Sequence, residues 1–580
     1  MKVIGIHDGH NSSVALFDSN RIVYTLSEER LARVKNKGGT PMLALVRLLS
    51  DMKLKPSDID FVAVSGTAAP RPEWVERDLI MNRYREQADI YKGSKFNRLV
   101  KLIYKSILTF TNKQDSYKKI EDRRLKKIYN MGFVPSQIKF VDHHQCHAAA
   151  ALYSGGDLTD NTLILTNDGG GDGLCGTVSV VKNSKIIRIA EIPQHDSFAS
   201  LYSRATFNMG LVPLEHEYKI MGMAPYGDPE RSSLICKKLI DFFEWPDDNK
   251  LLWSRSTNKS PTYLWGSKLE EIFRFRRFDD ISMAMQDFVE FMTLTWVKNC
   301  LKETGAKNLV LGGGLFMNVK LNKLILELDK VEKVFIMPSC SDESNSMGAA
   351  YQIVSELMQE KLNILPLKDL YLGAIYNEDD ILNTINNFDF GYEVSIEEHN
   401  DIEDTIASLI SSGEIVARYW GREEFGARAL GSRSILSDPR KLENIVEINK
   451  MIKQRDFWMP FAGSMRSEDA EKNLYNPKKH NSPFMIITFD TNDGVKNFRA
   501  ATHPYDLTIR PQVVEKSKNP HYYKILNNFH KITGSNGGLL NTSFNLHGYP
   551  IVSSPLDAVN VFHKSGLKFL ALDKYLLRKI

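Results

Sequence analysis

Short apolar runs broken by turn residues open the chain: residues 3–6, 13–17 and 21–26 read as strands, with Asp18-Ser19-Asn20 as turn chemistry. This predicts a β-meander. The same order returns further on, with strands at 162–166, 176–181 and 185–189, a glycine-rich turn beginning at Asp168, and a second turn at Lys182-Asn183-Ser184. The echo predicts an internal duplication, with a cleft between two halves where backbone N–H groups meet nucleotide phosphates. Taken alone it is weak, because any α/β chain contains several similar hairpins. Between the halves, residues 91–130 interleave Lys and Arg with Leu, Ile, Tyr and Phe and read as one or two amphipathic helices. A solvated helical cap explains them more simply than a nucleic-acid or acidic-substrate surface. The pattern shifts at residues 363–376, so the expected domains are 1–365 and 366–580. The second has its own alternation, with a strand at 415–419 and a helix at 441–452, and reads as a further α/β domain.

A chain of 580 residues is too long for one ordinary core, in agreement with two domains. No run of eighteen apolar residues occurs, so no membrane span is expected. The first residues read straight into a strand and carry no signal-peptide pattern, which predicts a cytoplasmic location. The five cysteines are scattered and form no CxxC pair, which argues against a disulfide framework or a zinc ribbon. A net charge of +4 on this length is nearly balanced and does not require a nucleic-acid partner, so local basic patches are judged separately.

The chemistry concentrates in His143-His144-Gln145-Cys146-His147 and the Asp168-Gly-Gly-Gly-Asp172 run. Histidines four apart share one helix face. Asp8, Asp168 and Asp342 each fall where a strand should end, and carboxylates at the carboxyl ends of strands project into the ligand crevice of an α/β sheet. Two spaced histidines alone fit a solvated helix face. The convergence of His143, His147, Asp168 and Asp342 instead predicts a mixed N/O site for a divalent metal.

Two further groups suit phosphate. Leu309-Val310-Leu311 leads into Gly312, Gly313 and Gly314, with Asn318 and Asn322 four apart in the helix expected next; amides exposed by glycine at a helix start bind anions. The segment carrying Glu217, Lys219 and Gly222 is suited to closing over a nucleotide, although by composition it is a loop. In the second domain, Arg418, Arg422, Arg428, Arg433, Arg440, Lys450, Lys453, Arg455, His503 and Arg510 are interleaved with glycines and have few acidic neighbours. This favours a polyphosphate site over a surface ion-pair network. Asn541, Ser543 and Asn545 form an uncharged cluster suited to a small planar polar group.

Taken together, these motifs resemble the O-carbamoyltransferases of antibiotic and nodulation-factor biosynthesis over nearly the whole chain. The resemblance rests on Gly9-His10-Asn11-Ser12-Ser13, Ser27-Glu28-Glu29-Arg30, Asp142 to His147, Lys219 to Gly222, Gly312 to Gly314, and Asp342 to Gly348. In the second domain it rests on Phe425 to Leu436 and Asn541 to Asn545. It implies an N-terminal duplicated actin-like ATPase domain and a C-terminal α/β domain like threonylcarbamoyl-adenylate synthases (YrdC-like). The implied reaction forms a carbamoyl-adenylate from carbamoyl phosphate and ATP, then transfers the carbamoyl group to a hydroxyl of a small natural-product acceptor. Iron(II), with Mn2+ or Mg2+ as alternatives, is the implied metal on His143, His147, Asp168 and Asp342, and His10 is the implied histidine of the transfer site. Many relatives carry proline where Ala427 sits and Asp-Gly-Thr where this chain has Asp506-Leu507-Thr508, changes that bear on loop rigidity rather than charge. Two rival readings are an RNA-modifying carbamoyl or threonylcarbamoyl transferase and a nucleotide-gated binding module without transfer chemistry. A homo-oligomeric assembly is left open.

Overall fold

The computed structural model describes residues 1–580 except 69, 71–74, 90–123, 157–158, 161, 257–259, 359–362, 493 and 537. The chain divides into two compact units, Met1–Val23 with Asn36–Leu367, and Tyr24–Lys35 with Lys368–Ile580. The main division lies two residues beyond the expected one, and the excursion at 24–35 was not legible in the pattern. Its cause is local chemistry. In the helix Glu28–Ala32 and its C-cap, Arg30 reaches Glu423 at 3.3 Å and the Gly426 carbonyl at 2.7 Å, and Arg33 donates to the carbonyls of Ile551 and Pro550 at 2.7 and 3.0 Å.

The first unit is built on two five-stranded sheets. One contains β1 (Val3–His7), β2 (Ser13–Asp18), β3 (Arg21–Ser27), β4 (Phe61–Ser65) and β5 (Ile138–Val141) in the order β3-β2-β1-β4-β5. The other contains β6 (Thr162–Gly171), β7 (Leu174–Lys182), β8 (Lys185–Pro193), β11 (Asn308–Gly312) and β12 (Lys333–Ile336) in the order β12-β11-β6-β7-β8. A short antiparallel pair, β9 (Phe243–Glu244) with β10 (Ser254–Arg255), lies between β8 and β11 in sequence. The two large sheets repeat one topology. In each, the first strand pairs antiparallel with the second and parallel with the fourth, and the fourth pairs parallel with the fifth. Central β1 is buried at every position, as a strand covered on both faces requires, whereas edge strand β8 alternates exposed and covered residues.

The helices His143–Gly155 and Asn345–Met358 pack against each other and carry site residues at their N-termini. Asp142 caps the first by accepting from Gln145 N at 2.8 Å, and Gly156 ends it at φ 74°. Their close approach depends on Gly348, where a Cβ would overlap the Cys146 carbonyl. Gly348→Ala is therefore expected to destabilise the first unit by about 3 kcal/mol, since backbone cannot yield as a side-chain tip does. Scanning calorimetry checks this; an unchanged midpoint would contradict the close crossing.

The second unit is a mixed eight-stranded sheet of β13 (Val394–Glu398), β14 (Val416–Tyr419), β15 (Arg433–Ser437), β16 (Ala462–Arg466), β19 (Pro511–Val514), β20 (Gly538–Ser543), β21 (Phe569–Leu572) and β22 (Tyr575–Lys579). Its order is β13-β22-β21-β14-β15-β20-β16-β19. A two-stranded pair, β17 (Leu474–Tyr475) and β18 (Asp490–Thr491), stands apart. Strand alternation feeds two cores: Ala417, Ile435, Leu540 and Leu570 enter one, and Val416, Leu436, Leu539 and Phe569 the other. The helix expected at 441–452 is observed as Glu443–Ile448 followed by a π-helical turn, Asn449–Lys453, that ends at left-handed Gln454. π-Turns are rare, and this one carries Lys453.

Residues 91–123 of the expected basic helices lie outside the described residues; 124–129 are helical. All five cysteines are buried and free of disulfides. Among the described residues, no helix is long and apolar enough to cross a membrane.

Candidate metal centre and anion site

The fold brings one donor atom each from His143, His147, Asp168 and Asp342 within 4.8 Å of one another. Asp168 Oδ2 lies 2.8 Å from His143 Nε2 and 3.2 Å from His147 Nε2, and Asp342 Oδ1 lies 3.7 and 3.4 Å from the same nitrogens. Ligands about 2.1 Å from a common ion are separated by about 3.0 Å in octahedral and about 3.4 Å in tetrahedral geometry. The observed separations bracket those values, and two carboxylates supply the charge that balances a divalent cation. The donor set fits a metal. Burial opposes an imidazolium at His143, yet the carboxylates of Asp342 and Asp168 outweigh it and lift its pKa to about 10. Despite burial, His144, His143 and His147 hold the Asp168 carboxyl below its usual range, and His143, His147 and His7 do so for Asp342.

Asp168 is not at a strand end, as the pattern suggested. β6 continues to Gly171 with a register shift between Asn167 and Gly171, and this bulge presents Asp168. Asp172 accepts from the amides of His143, Thr67 and Ala68, each at 2.9 Å, and so anchors the start of the histidine helix. Asp8 stays away from the cluster: it forms a buried bidentate pair with Arg124, whose Nη2 donates at 2.8 Å. Strand alternation sends its neighbour His7 to the site instead, with Nε2 3.9 Å from Asp342 Oδ2. His7 also meets Ser65 Oγ at 2.6 Å and the His10 carbonyl at 3.0 Å, and burial lowers its pKa to about 4. His10 is thus linked to the site through its backbone. His7 was missed in the sequence; its position one residue before a strand-end carboxylate was the signal.

The glycine turn also packs against the histidine helix. A Cβ at Gly312 would sit 2.7 Å from the His147 carbonyl, and Gly313, at φ 100°, would meet the Asn167 backbone. Gly314 opens a 3-10 turn, and Asn318 precedes the helix Val319–Glu327 rather than lying on it, accepting from Leu321 N at 3.1 Å as N-cap. Asn318 Nδ2 donates to Gln286 at 2.9 Å. Glu217, Lys219 and Gly222 lie on a helix, Glu217–Met223, not in a loop; Glu217 accepts from Leu214 N at 2.6 Å, and burial raises its pKa.

In the second unit, Lys453, Arg455, Arg428 and Arg510 act on one another as like charges, joined by Lys35 from the 24–35 excursion. Lys453 is buried, and Nζ meets Asn545 Oδ1 at 2.7 Å and Ser543 Oγ at 3.0 Å; Arg455 Nη2 donates to Thr542 at 3.2 Å. Burial, then Arg455 and Lys35, push the Lys453 pKa down; burial, then Arg428 and Arg455, do so for Arg510. Arg418 and Arg433 are used differently. Arg433 stacks on Tyr419 and donates to the Trp420 and Gly421 carbonyls at 2.8 and 2.9 Å, while Arg418 donates to the Gly431 carbonyl between the rings of Trp420 and Tyr522. Glu424, missed in the sequence, organises the arginine loop by accepting from the amides of Leu430, Ser432 and Arg433. Asn541 is buried and donates to Ala429 O and Ser464 Oγ, both at 3.1 Å. His503 Nδ1 lies 3.3 Å from the amides of Tyr505 and Asp506, closing the turn in which Leu507 adopts φ 58°. A non-glycine residue in the left-handed region costs about 1 kcal/mol.

The chain thus has a cluster of possible metal donors in its first unit and a cluster of like-charged basic side chains in its second. Residues 2–351 match the family model described as Carbamoyltransferase N-terminus, and residues 407–579 match that described as Carbamoyltransferase C-terminus. The chain belongs to the carbamoyltransferase family and is an enzyme of that class. It is 30% identical over 575 residues to nodulation protein NolNO of Sinorhizobium fredii, covering 98% of this chain and 79% of that one. It is 29% identical to an uncharacterized protein of Methanocaldococcus jannaschii, covering 100% of both chains. The 3'-hydroxymethylcephem-O-carbamoyltransferase of Amycolatopsis lactamdurans is 27% identical over 259 residues, 45% of this chain and 46% of its own. The family thus includes O-carbamoyltransferases.

Proposed function

We propose that the protein is an ATP-dependent O-carbamoyltransferase that activates the carbamoyl group as carbamoyl-adenylate in residues 366–580 and transfers it to a small-molecule hydroxyl in residues 1–365. The observation that carries the reading is the like-charged set Lys453, Arg455, Arg428 and Arg510, whose mutual repulsion an oxyanion relieves. The repeated five-strand order supports an actin-like first domain, and the cationic cluster on the second sheet supports a YrdC-like one.

Carbamoyl phosphate loses phosphate to water, and the resulting carbamate oxygen attacks the α-phosphorus of ATP, expelling pyrophosphate. Lys453, Arg455, Arg428 and Arg510 offset the phosphate charge, with Asn541, Ser543 and Asn545 around the planar carbamate. In the first domain the acceptor oxygen attacks the carbamoyl carbon, AMP leaves, and His10 takes the hydroxyl proton. His7 holds the His10 carbonyl, which fixes the approach of that loop. His143, His147, Asp168 and Asp342 would hold the divalent ion, Fe2+ by resemblance, which supplies Lewis acidity at the carbonyl or adenylate phosphate. The backbone around Gly312 to Gly314, with Glu217, Lys219, Gly222 and Asn318, would receive the nucleotide part. The hydroxymethyl acceptor in the name of the Amycolatopsis relative supports an alcohol of a natural product as acceptor.

Pyrophosphate release from ATP, measured with and without carbamoyl phosphate and with no acceptor, tests the first half-reaction. Release dependent on carbamoyl phosphate is expected; none from folded protein refutes adenylate formation. His10→Asn is expected to retain this release and to lose about 10²-fold or more of the transfer to an added alcohol, the size of a general-base contribution. Loss of both steps together would refute the division between domains.

A further inference from the structure

His144 stands beside the metal-ligand candidates and is itself none of them. One helical position beyond His143, its ring is rotated by about 100° from that residue's face. It is fully buried. Its Nε2 lies 3.5 Å from Asp168 Oδ1, the oxygen turned away from His143 and His147, and neither atom has a hydrogen-bond partner among the described residues. On its other side, Nδ1 lies 2.9 Å from Thr166 Oγ1, which is 2.6 Å from Thr177 Oγ1 and accepts from Thr177 N at 3.1 Å.

These contacts can be ordered by their hydrogens. A carboxylate oxygen only accepts, so the ring nitrogen facing Asp168 must carry the proton for the contact to be favourable. His144 Nδ1 is then an acceptor, supplied by the Thr166 hydroxyl. Thr166 Oγ1 in turn accepts from the amide and the hydroxyl of Thr177. The threonine end of the row is satisfied in this direction, and it leaves the Nε2 proton facing Asp168 Oδ1 at 3.5 Å. In the opposite tautomer a nitrogen lone pair would face a carboxylate lone pair in a buried site.

We infer that His144, oriented by Thr166 and Thr177, is a positioning residue that grips Asp168 Oδ1 and so aims Oδ2 into the metal-donor cluster. The inference rests on the metal reading of His143, His147, Asp168 and Asp342. It explains why the row of threonines is buried next to a charged site: Asp168 sits on a β-bulge, where the backbone alone does not fix the carboxylate. Partners of this kind are worth 10- to 100-fold in metal affinity.

The test is Co2+ affinity of the full chain by chelator competition, together with the Co2+ absorption spectrum and a thermal-unfolding check. His144→Phe is expected to weaken binding by roughly 10- to 100-fold and to change the spectrum. His144→Gln, whose amide N–H reaches the position of Nε2, is expected to restore most of both. Thr166→Val keeps the ring but removes the donor to Nδ1, and is expected to weaken binding by roughly tenfold. Wild-type affinity and spectrum in folded His144→Phe, or in Thr166→Val if the former does not fold, would overturn the inference. Asp168→Ala separates the two levels: Co2+ binding that is absent from the wild type, or unaffected by Asp168→Ala, would overturn the metal reading and the inference with it.

Discussion

Asp168→Asn is expected to lower carbamoyl transfer by about three orders of magnitude and to remove stoichiometric divalent-metal binding, while leaving carbamoyl-phosphate-dependent pyrophosphate release in place. Asparagine preserves the shape of the side chain. It removes one of the two negative charges of the donor set and puts a neutral amide where Oδ2 now lies 2.8 and 3.2 Å from the two histidines. Lewis-acid stabilisation is worth several kcal/mol, and about 4 kcal/mol corresponds to about 10³ in rate. The contrast between half-reactions carries the weight, because a misfolded variant would lose both. Metal content by elemental analysis and product by chromatography check it. Metal-replete Asp168→Asn with transfer near that of the wild type would remove the four-donor site from the mechanism.

Lys453→Met is expected to abolish pyrophosphate release, by roughly 10² to 10³, and at the same time to make the ligand-free protein more stable by about 1–2 kcal/mol. The two effects have one origin. Lys453 is buried, and its charge is opposed first by lost hydration and then by Arg455 and Lys35, so its folded pKa lies well below the ordinary lysine value of 10.5. The folded state therefore binds fewer protons than the unfolded state between that lowered value and 10.5. Wild-type stability should rise with pH across this window and fall as pH drops through it, a slope that Lys453→Met should lack. Pyrophosphate restores the charged lysine, so its binding should take up protons, measurable by calorimetry in buffers of different ionisation enthalpy. A variant less stable than wild type at every pH would mean that the Lys453 contacts to Asn545 and Ser543 outweigh the repulsion.

The parts of the site that could be read from the sequence are those whose geometry is local. Histidines four apart meet on one face of any helix, and the strand and turn residues of the first thirty positions and of 162–192 form the two meanders observed. Asp8 shows the limit. By position it was as good a candidate as Asp168, but alternation along β1 and the side chain of Arg124, far away in sequence, take it out of the cluster and bring His7 in. The arginine block shows it again. Its density of guanidinium groups pointed to phosphate, yet Arg433 is turned back onto the Trp420 and Gly421 carbonyls, whereas Lys35, hundreds of residues earlier, joins Lys453.

What the sequence determined by itself was the inventory and the local order: alternating strands, the shared face of the paired histidines, the glycine turns and the residue types able to ligate a cation or neutralise phosphate. These follow from backbone sterics and side-chain chemistry within a few residues. Only the tertiary structure decided which strand-end carboxylate faces the histidines, which histidine supports Asp168, and which basic residues share one charge field. Those outcomes depend on sheet order, on a bulge in β6 and on glycine-permitted helix contact, all set by the burial of residues distant in the chain. A shift of one residue along a strand reverses the face a side chain presents, so proximity to a site in sequence does not assign membership in it.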